Sequence, residues 1–214
     1  MTRKVRIKGY SLVLCSLALA ATLTGQKAFA EPVASREYQI KAAFLYNFIK
    51  FAEWPKEKVA DPNAPVIIGI LGKDPFQDAF GPLQEKEAKD GKVVIQRFEG
   101  FVELEKAGQK KKDQPHPKSQ DIQKCHLLFV CPSENERVSD IIASVKGRDI
   151  LTVADTQGFL ESGGIINFIM EEQKVRFEIN VTNARRAKLQ IRSQLLRLAK
   201  RVIDEKDAEG NKNK

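Results

Sequence analysis

Three short strand-like runs restrict the architecture of this chain most: the unbroken apolar Pro65–Gly72 (PVIIGILG), Cys125–Cys131 (CHLLFVC), apolar on both faces, and Asp149–Ala154 (DILTVA). Successive side chains of a strand point to opposite faces, so a strand apolar at consecutive positions must be covered on both. That pattern predicts a mostly parallel sheet with helices on either side. Lys92–Phe98 reads as a further strand, and helix-start signals lie between the runs. Asp74 followed by Pro75 is an N-cap and first helical position, and Ser133 with Glu136 is a capping box. Val138, Ile141, Ile142 and Val145 mark the inner face of the second of these helices, which Gly147 stops.

The last third breaks the alternation. Ile165–Met170 and Lys174–Val181 read as two strands joined by Glu171, Glu172 and Gln173, an antiparallel hairpin at the sheet edge. Leu189–Ile191 is a strand fragment, and Ser193 caps a helix that turns Leu195, Leu196, Leu198, Ala199, Val202 and Ile203 inward. The expected fold is α/β: a single three-layer domain over residues 31–204, mostly parallel with an antiparallel edge hairpin, and a disordered tail over 205–214.

Ahead of the sheet lies Tyr38–Pro55, apolar over most of a helical circumference. Ile40, Phe44, Phe48 and Phe51 form one stripe, and Ala42, Leu45, Ile49 and Ala52 a second, with Lys41, Asn47, Lys50 and Glu53 as polar interruptions. Trp54 before Pro55 is pushed out of the helical region and ends the helix. Such a helix belongs in the core unless one stripe is kept for a partner.

Residues Met1–Ala30 read as a secretory signal peptide: a basic start, an apolar run from Ser11 to Thr24, and Ala28-Phe29-Ala30 before Glu31. The run is shorter than the roughly 20 residues that span a bilayer. Leu14 before Cys15 is too large for a lipoprotein cleavage site. The formal charge of the whole chain is +8, but five Lys and Arg lie in the leader, leaving 31 basic against 28 acidic residues, or +3. A nucleic-acid partner therefore loses its main support. What basicity remains is concentrated in Lys106–Lys124, long enough to read as a mobile loop. A soluble periplasmic protein is expected.

Two cysteines remain beyond the leader. If Cys125–Cys131 is extended, six steps of about 3.3 Å separate the Cα atoms by roughly 20 Å, whereas a disulfide needs about 4.4 to 6.8 Å, so no bridge between Cys125 and Cys131 is expected. The two histidines, His116 and His126, fit no metal-site spacing, and no nucleophile motif accompanies them. Neither a metal nor a cofactor is expected, nor an enzyme. The Gly72 turn before Asp74 is a weak phosphate cradle, with a carboxylate where the phosphate would be.

With these pieces placed, the chain resembles the YfiR family of bacterial periplasmic proteins. The resemblance rests on KAAFLYNFIKFAEWP (Lys41–Pro55), IGILGKDPF (Ile68–Phe76), CHLLFV (Cys125–Val130), LTVADTQGF (Leu151–Phe159), GGIINF (Gly163–Phe168), VRFEIN (Val175–Asn180) and SQLLRLA (Ser193–Ala199). It implies a negative regulator that binds the periplasmic part of an inner-membrane diguanylate cyclase and holds it inactive, lowering cyclic di-GMP and biofilm formation. Release by an outer-membrane lipoprotein that sequesters the regulator is implied too. Monomer and homodimer both stay open.

Two sets of residues are candidates for contact. Phe44, Phe48, Phe51 and Trp54 are the candidates for a protein partner, through exposed apolar side chains of the first helix. Arg176, Glu178 and Asn180, on one face of a strand, are candidates for a small ligand, Arg176 for an anion and the others for polar groups. The alternative to regulation is accordingly a periplasmic small-molecule-binding module, with its ligand at the carboxyl edge of the sheet. The structural account of the same strand face is a solvated Arg–Glu ladder with Asn180 capping the next turn.

Overall fold

The computed structural model describes residues 35–81, 87–88, 91–111 and 113–205. These lie in one unit, Pro32–Lys214; the expected signal peptide and most of the expected tail fall outside the described residues.

The chain enters through helix α1 (Arg36–Phe51), whose Ser35 cap accepts the Tyr38 N–H at 3.5 Å. α1 buries Lys41, Ala42, Leu45, Tyr46, Phe48 and Ile49, so the Ala42–Leu45–Ile49 stripe faces the core while Ile40 is 39% exposed. Strands β1 (Ala52–Glu53), β2 (Val66–Leu71), β3 (Glu87–Ala88) and β4 (Gly91–Phe98) follow. Next come α2 (Phe101–Lys106), α3 (Ser119–Ile122), β5 (Leu127–Val130), a 3-10 turn at Pro132–Arg137 and α4 (Val138–Val145). β6 (Leu151–Ala154), β7 (Ile166–Glu171), β8 (Lys174–Asn180), α5 (Val181–Arg186), β9 (Gln190–Ile191), α6 (Ser193–Leu196) and β10 (Arg201–Ile203) complete it.

The main sheet runs β10-β8-β7-β6-β5-β2-β4-β3. The β7–β8 and β3–β4 pairs are antiparallel and the rest parallel. Strand alternation divides the interior into two cores. Ile68, Ile70, Leu127, Phe129, Leu151 and Val153 meet α1 on one face. Leu71, Leu128, Val130 and Ala154 meet α2 and α4 on the other. This is the expected three-layer α/β arrangement, and the apolar runs are β2, β5 and β6. The hairpin turn places Glu172 and Gln173 at φ 47° and 60°, the paired left-handed conformation of a two-residue turn that matches strand twist.

Four expectations are corrected. The helix from Ser193 lasts one turn; Lys200 then donates its N–H to the Phe177 carbonyl at 2.8 Å and the chain becomes β10, parallel to β8. The hairpin is therefore flanked by a further edge strand, and Leu198 and Val202 are 63% and 42% exposed rather than inward. Asp74 caps a turn, accepting the Phe76 N–H at 2.7 Å, and residues 75–80 are not helical. Ser133 does not open a capping box, because its hydroxyl accepts the Lys73 N–H at 2.9 Å. Within Lys106–Lys124, Lys110 and His116 are buried, so the described part of this basic segment is anchored rather than a mobile loop. The His116 Nε2 donates to the Glu99 carbonyl at 2.8 Å while Nδ1 accepts the Lys118 N–H at 3.0 Å, and burial lowers the imidazole's proton affinity.

Candidate functional site

A buried lysine within an otherwise apolar helix needs a counter-charge, because an isolated buried ammonium costs several kcal/mol. Lys41, on α1, finds two. Its Nζ lies 2.5 Å from Glu37 Oε1, one turn earlier, and 2.5 Å from Oδ2 of Asp155, the first residue after β6. The Tyr38 hydroxyl donates to the same Asp155 oxygen at 2.9 Å, and the Lys41 ammonium lies 4.4 Å from the Tyr38 ring centre. Burial, and after it the Asp155 carboxylate, pushes the Tyr38 phenol far above its ordinary range, which keeps it a donor. Asp155 Oδ1 is buried with no hydrogen-bond partner among the described residues.

This cluster walls one side of a cavity of about 670 Å³ at the carboxyl end of β6. β7 pairs with β6 only through Ile166 and Asn167 and runs on to Glu171, so its second half forms the opposite wall. Asn167 fastens the floor, its Oδ1 accepting the Thr156 N–H at 3.1 Å. On the far rim Arg201 of β10 grips Glu178 of β8 through Nε and Nη2 at 2.8 and 2.9 Å, and reaches Glu161 at 3.4 Å. The cavity thus gathers four carboxylates (Glu37, Asp155, Glu161, Glu178) and two cations, each cation already in ion pairs.

The ligand candidates part company here. Glu178 lines the cavity, Arg176 is exposed on the hairpin and is not among the cavity residues, and Asn180 is buried with its Oδ1 capping α5 through the Asn183 N–H at 3.0 Å. Asn180 is corrected to a structural cap. Lys41, Tyr38, Asp155 and Arg201 were not foreseen as a group. The signals available were the lysine in the apolar stripe and the aspartate that follows a doubly buried strand.

Of the partner candidates, Phe48 is fully buried, stacked with Phe168 at 5.5 Å and edge-on to Phe177 at 5.0 Å, and is corrected to a core residue. Phe44 is half-buried beside the same rings. Phe51 and Trp54 are half-buried; Trp54 meets His126 edge-on at 5.8 Å, and its indole N–H is buried without a partner among the described residues.

The crevice between β2 and β5, where strand order reverses, is filled by the protein itself. Glu134 is fully buried there and its Oε2 accepts the Val102 N–H at the start of α2 at 3.2 Å. A Cβ on Gly100 would fall 2.1 Å from Glu134 Oε1, so glycine is needed for that carboxylate to enter. Gly72, at φ +104°, turns beside Ser133, and a carboxylate occupies the place a phosphate would take. Cys125 and Cys131 are free and buried in different cores, on opposite faces of the sheet. Burial pushes the Cys125 thiol up to about 12 and the Cys131 thiol higher still, which leaves both protonated and inert.

Residues 38–200 match the family model described as YfiR/HmsC-like. No curated protein matches the chain. A solved structure, the crystal structure of a conserved domain protein from Vibrio cholerae O1 biovar El Tor, is similar at 11% identity with a TM-score of 0.49 over 77% of this chain. The match spans 60% of that protein's length.

Proposed function

The chain belongs to the YfiR/HmsC-like family, a family of regulators of diguanylate cyclase signalling, and from that premise we propose that it is exported to the periplasm and represses an inner-membrane diguanylate cyclase by binding its periplasmic part. The observation that carries this reading is the family match over residues 38–200, which spans every strand of the main sheet but β10 and both helical layers. Export rests on the leader-like Met1–Ala30, cleaved before Glu31. No helix among the described residues is long and apolar enough to cross a membrane.

Repression needs only that the regulator bind one receptor conformation more tightly than the other. Phe44, Phe51 and Trp54, with Ile40 beside them, are the side chains of the α1 region that keep surface to offer a partner. An outer-membrane lipoprotein that competes for the regulator would reverse the effect, and a homodimer would present the surface twice. Output is read as cyclic di-GMP and biofilm.

The test is a pull-down from detergent-solubilised envelopes of the native host, with captured membrane proteins identified by mass. Capture of a diguanylate cyclase with a periplasmic segment, lost on Ile40→Asp or Phe51→Asp with unchanged circular dichroism, supports the reading. Capture that survives every such exposed substitution would sink the α1 contact. If no cyclase is recovered, the regulatory reading falls.

A second reading, a small-molecule-binding module, is favoured by the 670 Å³ cavity at the carboxyl edge of the sheet. Ligands that raise the melting temperature in the absence of any partner, with the rise removed by Glu178→Gln, would select it.

A further inference from the structure

A second cavity, of about 570 Å³, opens at the amino end of β6, between α4 and α5. Its charge is of one sign. Among the described residues, Lys146, Arg148 and Arg186 line it and no carboxylate does. Lys146 follows the carboxyl end of α4, where the helix dipole favours a cation. Arg148 has no such account: its side chain and that of Lys146 make no hydrogen bond or ion pair among the described residues, and both are exposed. Arg186 is held by Asn183 Oδ1 at 3.2 Å and Glu205 at 2.9 Å. The nearest acidic neighbour in sequence, Asp149, is half-buried with Lys188 at 3.8 Å and does not line the cavity.

The interior is of opposite character. Val145, Ile150 and Ile165 are buried beneath it, and Ile142 is half-buried at its side. The polar side chains of its interior are already used, and the lining Ser139 is exposed. Thr152 Oγ1 accepts the Ile165 N–H at 3.2 Å, and Asn183 Nδ2 donates to the Leu160 and Gly164 carbonyls at 3.2 and 2.9 Å. A polar ligand body would therefore lose its hydration without finding partners, whereas an apolar body loses nothing. Charge at the rim and dryness beneath it select the occupant.

We propose that this cavity binds a small amphiphilic anion, an acyl or alkyl body beneath a carboxylate or phosphate head group that Arg148 and Lys146 receive at the rim. The head-group chemistry is shared by free fatty acids and by phosphate-headed lipid fragments. The site is separate from the carboxyl-end cavity and from the α1 surface.

The experiment is calorimetric titration of the protein with decanoate and decyl phosphate below their micellar range, with 1-decanol, acetate and inorganic phosphate as controls. Saturable one-to-one binding of decanoate or decyl phosphate, absent for 1-decanol and for the small ions, is expected, and the tighter of the two identifies the head group. Arg148→Gln with Lys146→Gln should weaken it about tenfold or more, as loss of charge-assisted hydrogen bonds does, while Arg201→Gln in the other cavity leaves it unchanged. Ala143→Trp, at an exposed position of α4 that lines the cavity, should abolish binding with circular dichroism unaltered. Equal binding of 1-decanol, equal binding of inorganic phosphate, loss on Arg201→Gln alone, or no saturable binding would each overturn the proposal.

Discussion

β6 has a cavity at each end, and the two treat charge in opposite ways. At the carboxyl end, Lys41 and Asp155 are almost wholly buried and locked to one another, with Glu37 and Tyr38 completing their contacts. At the amino end, Lys146 and Arg148 stand in solvent over an apolar floor and are paired with nothing among the described residues. The difference follows from desolvation. A charge removed from water must be matched where it lies, whereas a hydrated one can wait for a ligand. Charged residues lining a cavity are therefore not equivalent evidence of binding: the carboxyl-end pair is first of all part of the fold.

The largest effect should come from breaking that pair. Lys41→Ala leaves Asp155 buried against Tyr38 with no cation, and we expect a loss of about 3–5 kcal/mol in urea unfolding. Asp155→Ala strands the ammonium with Glu37 alone and should cost a similar amount. Replacing both together, Lys41→Met with Asp155→Leu, should cost much less than the sum of the two single changes, because no uncompensated buried charge remains and Glu37 is partly hydrated. Additive losses, or a loss below 1 kcal/mol for Lys41→Ala, would remove the distinction between the two cavities.

How far the sequence foretold this can be traced residue by residue. β2, β5 and β6 were legible because doubly apolar runs have one structural use, and the β7–β8 hairpin because Val175, Phe177 and Ile179 alternate. The segment after Ser193 reads as a longer helix because Leu195, Leu196, Leu198, Val202 and Ile203 satisfy a helical period. The unpaired edge of β8 competes with that pattern and takes residues 201–203 as a strand. Phe48 is ambiguous in sequence for a related reason: a helix apolar nearly all round does not reveal which stripe faces inward. The Lys41–Asp155 contact joins residues 114 apart, and pattern within either segment carries no information about the other. Only the cost of burying a lysine hinted that a partner existed.

A titration sharpens the comparison next. The Tyr38 phenol is held above its ordinary value, so the folded protein keeps this proton to higher pH than the unfolded chain, whose tyrosines ionise near about 10. Stability from this group is complete below that pH. It is lost as pH rises through 10 and above, because there only the unfolded state releases the proton. Tyr38→Phe should flatten this alkaline part of the stability curve, and absorbance at tyrosinate wavelengths should show one phenol fewer titrating late. An identical alkaline slope in Tyr38→Phe and the parent protein would show that Tyr38 is not coupled to the buried pair.

A smaller effect is expected at the rim of the same cavity. Arg201 and Glu178 make two short contacts but remain partly hydrated, so Arg201→Gln should cost about 0.2–1 kcal/mol, diminishing with added salt. A loss as large as that of Lys41→Ala would mean that the rim is desolvated in solution.

The smallest effect is the most telling for the other end of β6. Arg148 is exposed and, among the described residues, unpaired, so Arg148→Gln should leave unfolding stability within about 0.5 kcal/mol of the parent. The sign is informative as well. Lys146 and Arg186 line the same cavity, and relieving their mutual repulsion should make the change neutral or slightly favourable at low salt, with the gain vanishing as the ionic strength is raised past about 0.15 M. A clear destabilisation by Arg148→Gln, independent of salt, would mean that this arginine has a structural partner after all and that the two cavities differ less than their geometry implies. A neutral or stabilising result would leave a cation whose removal the fold does not resist, and a cluster of like charges persisting at a stability cost is accounted for by something it binds.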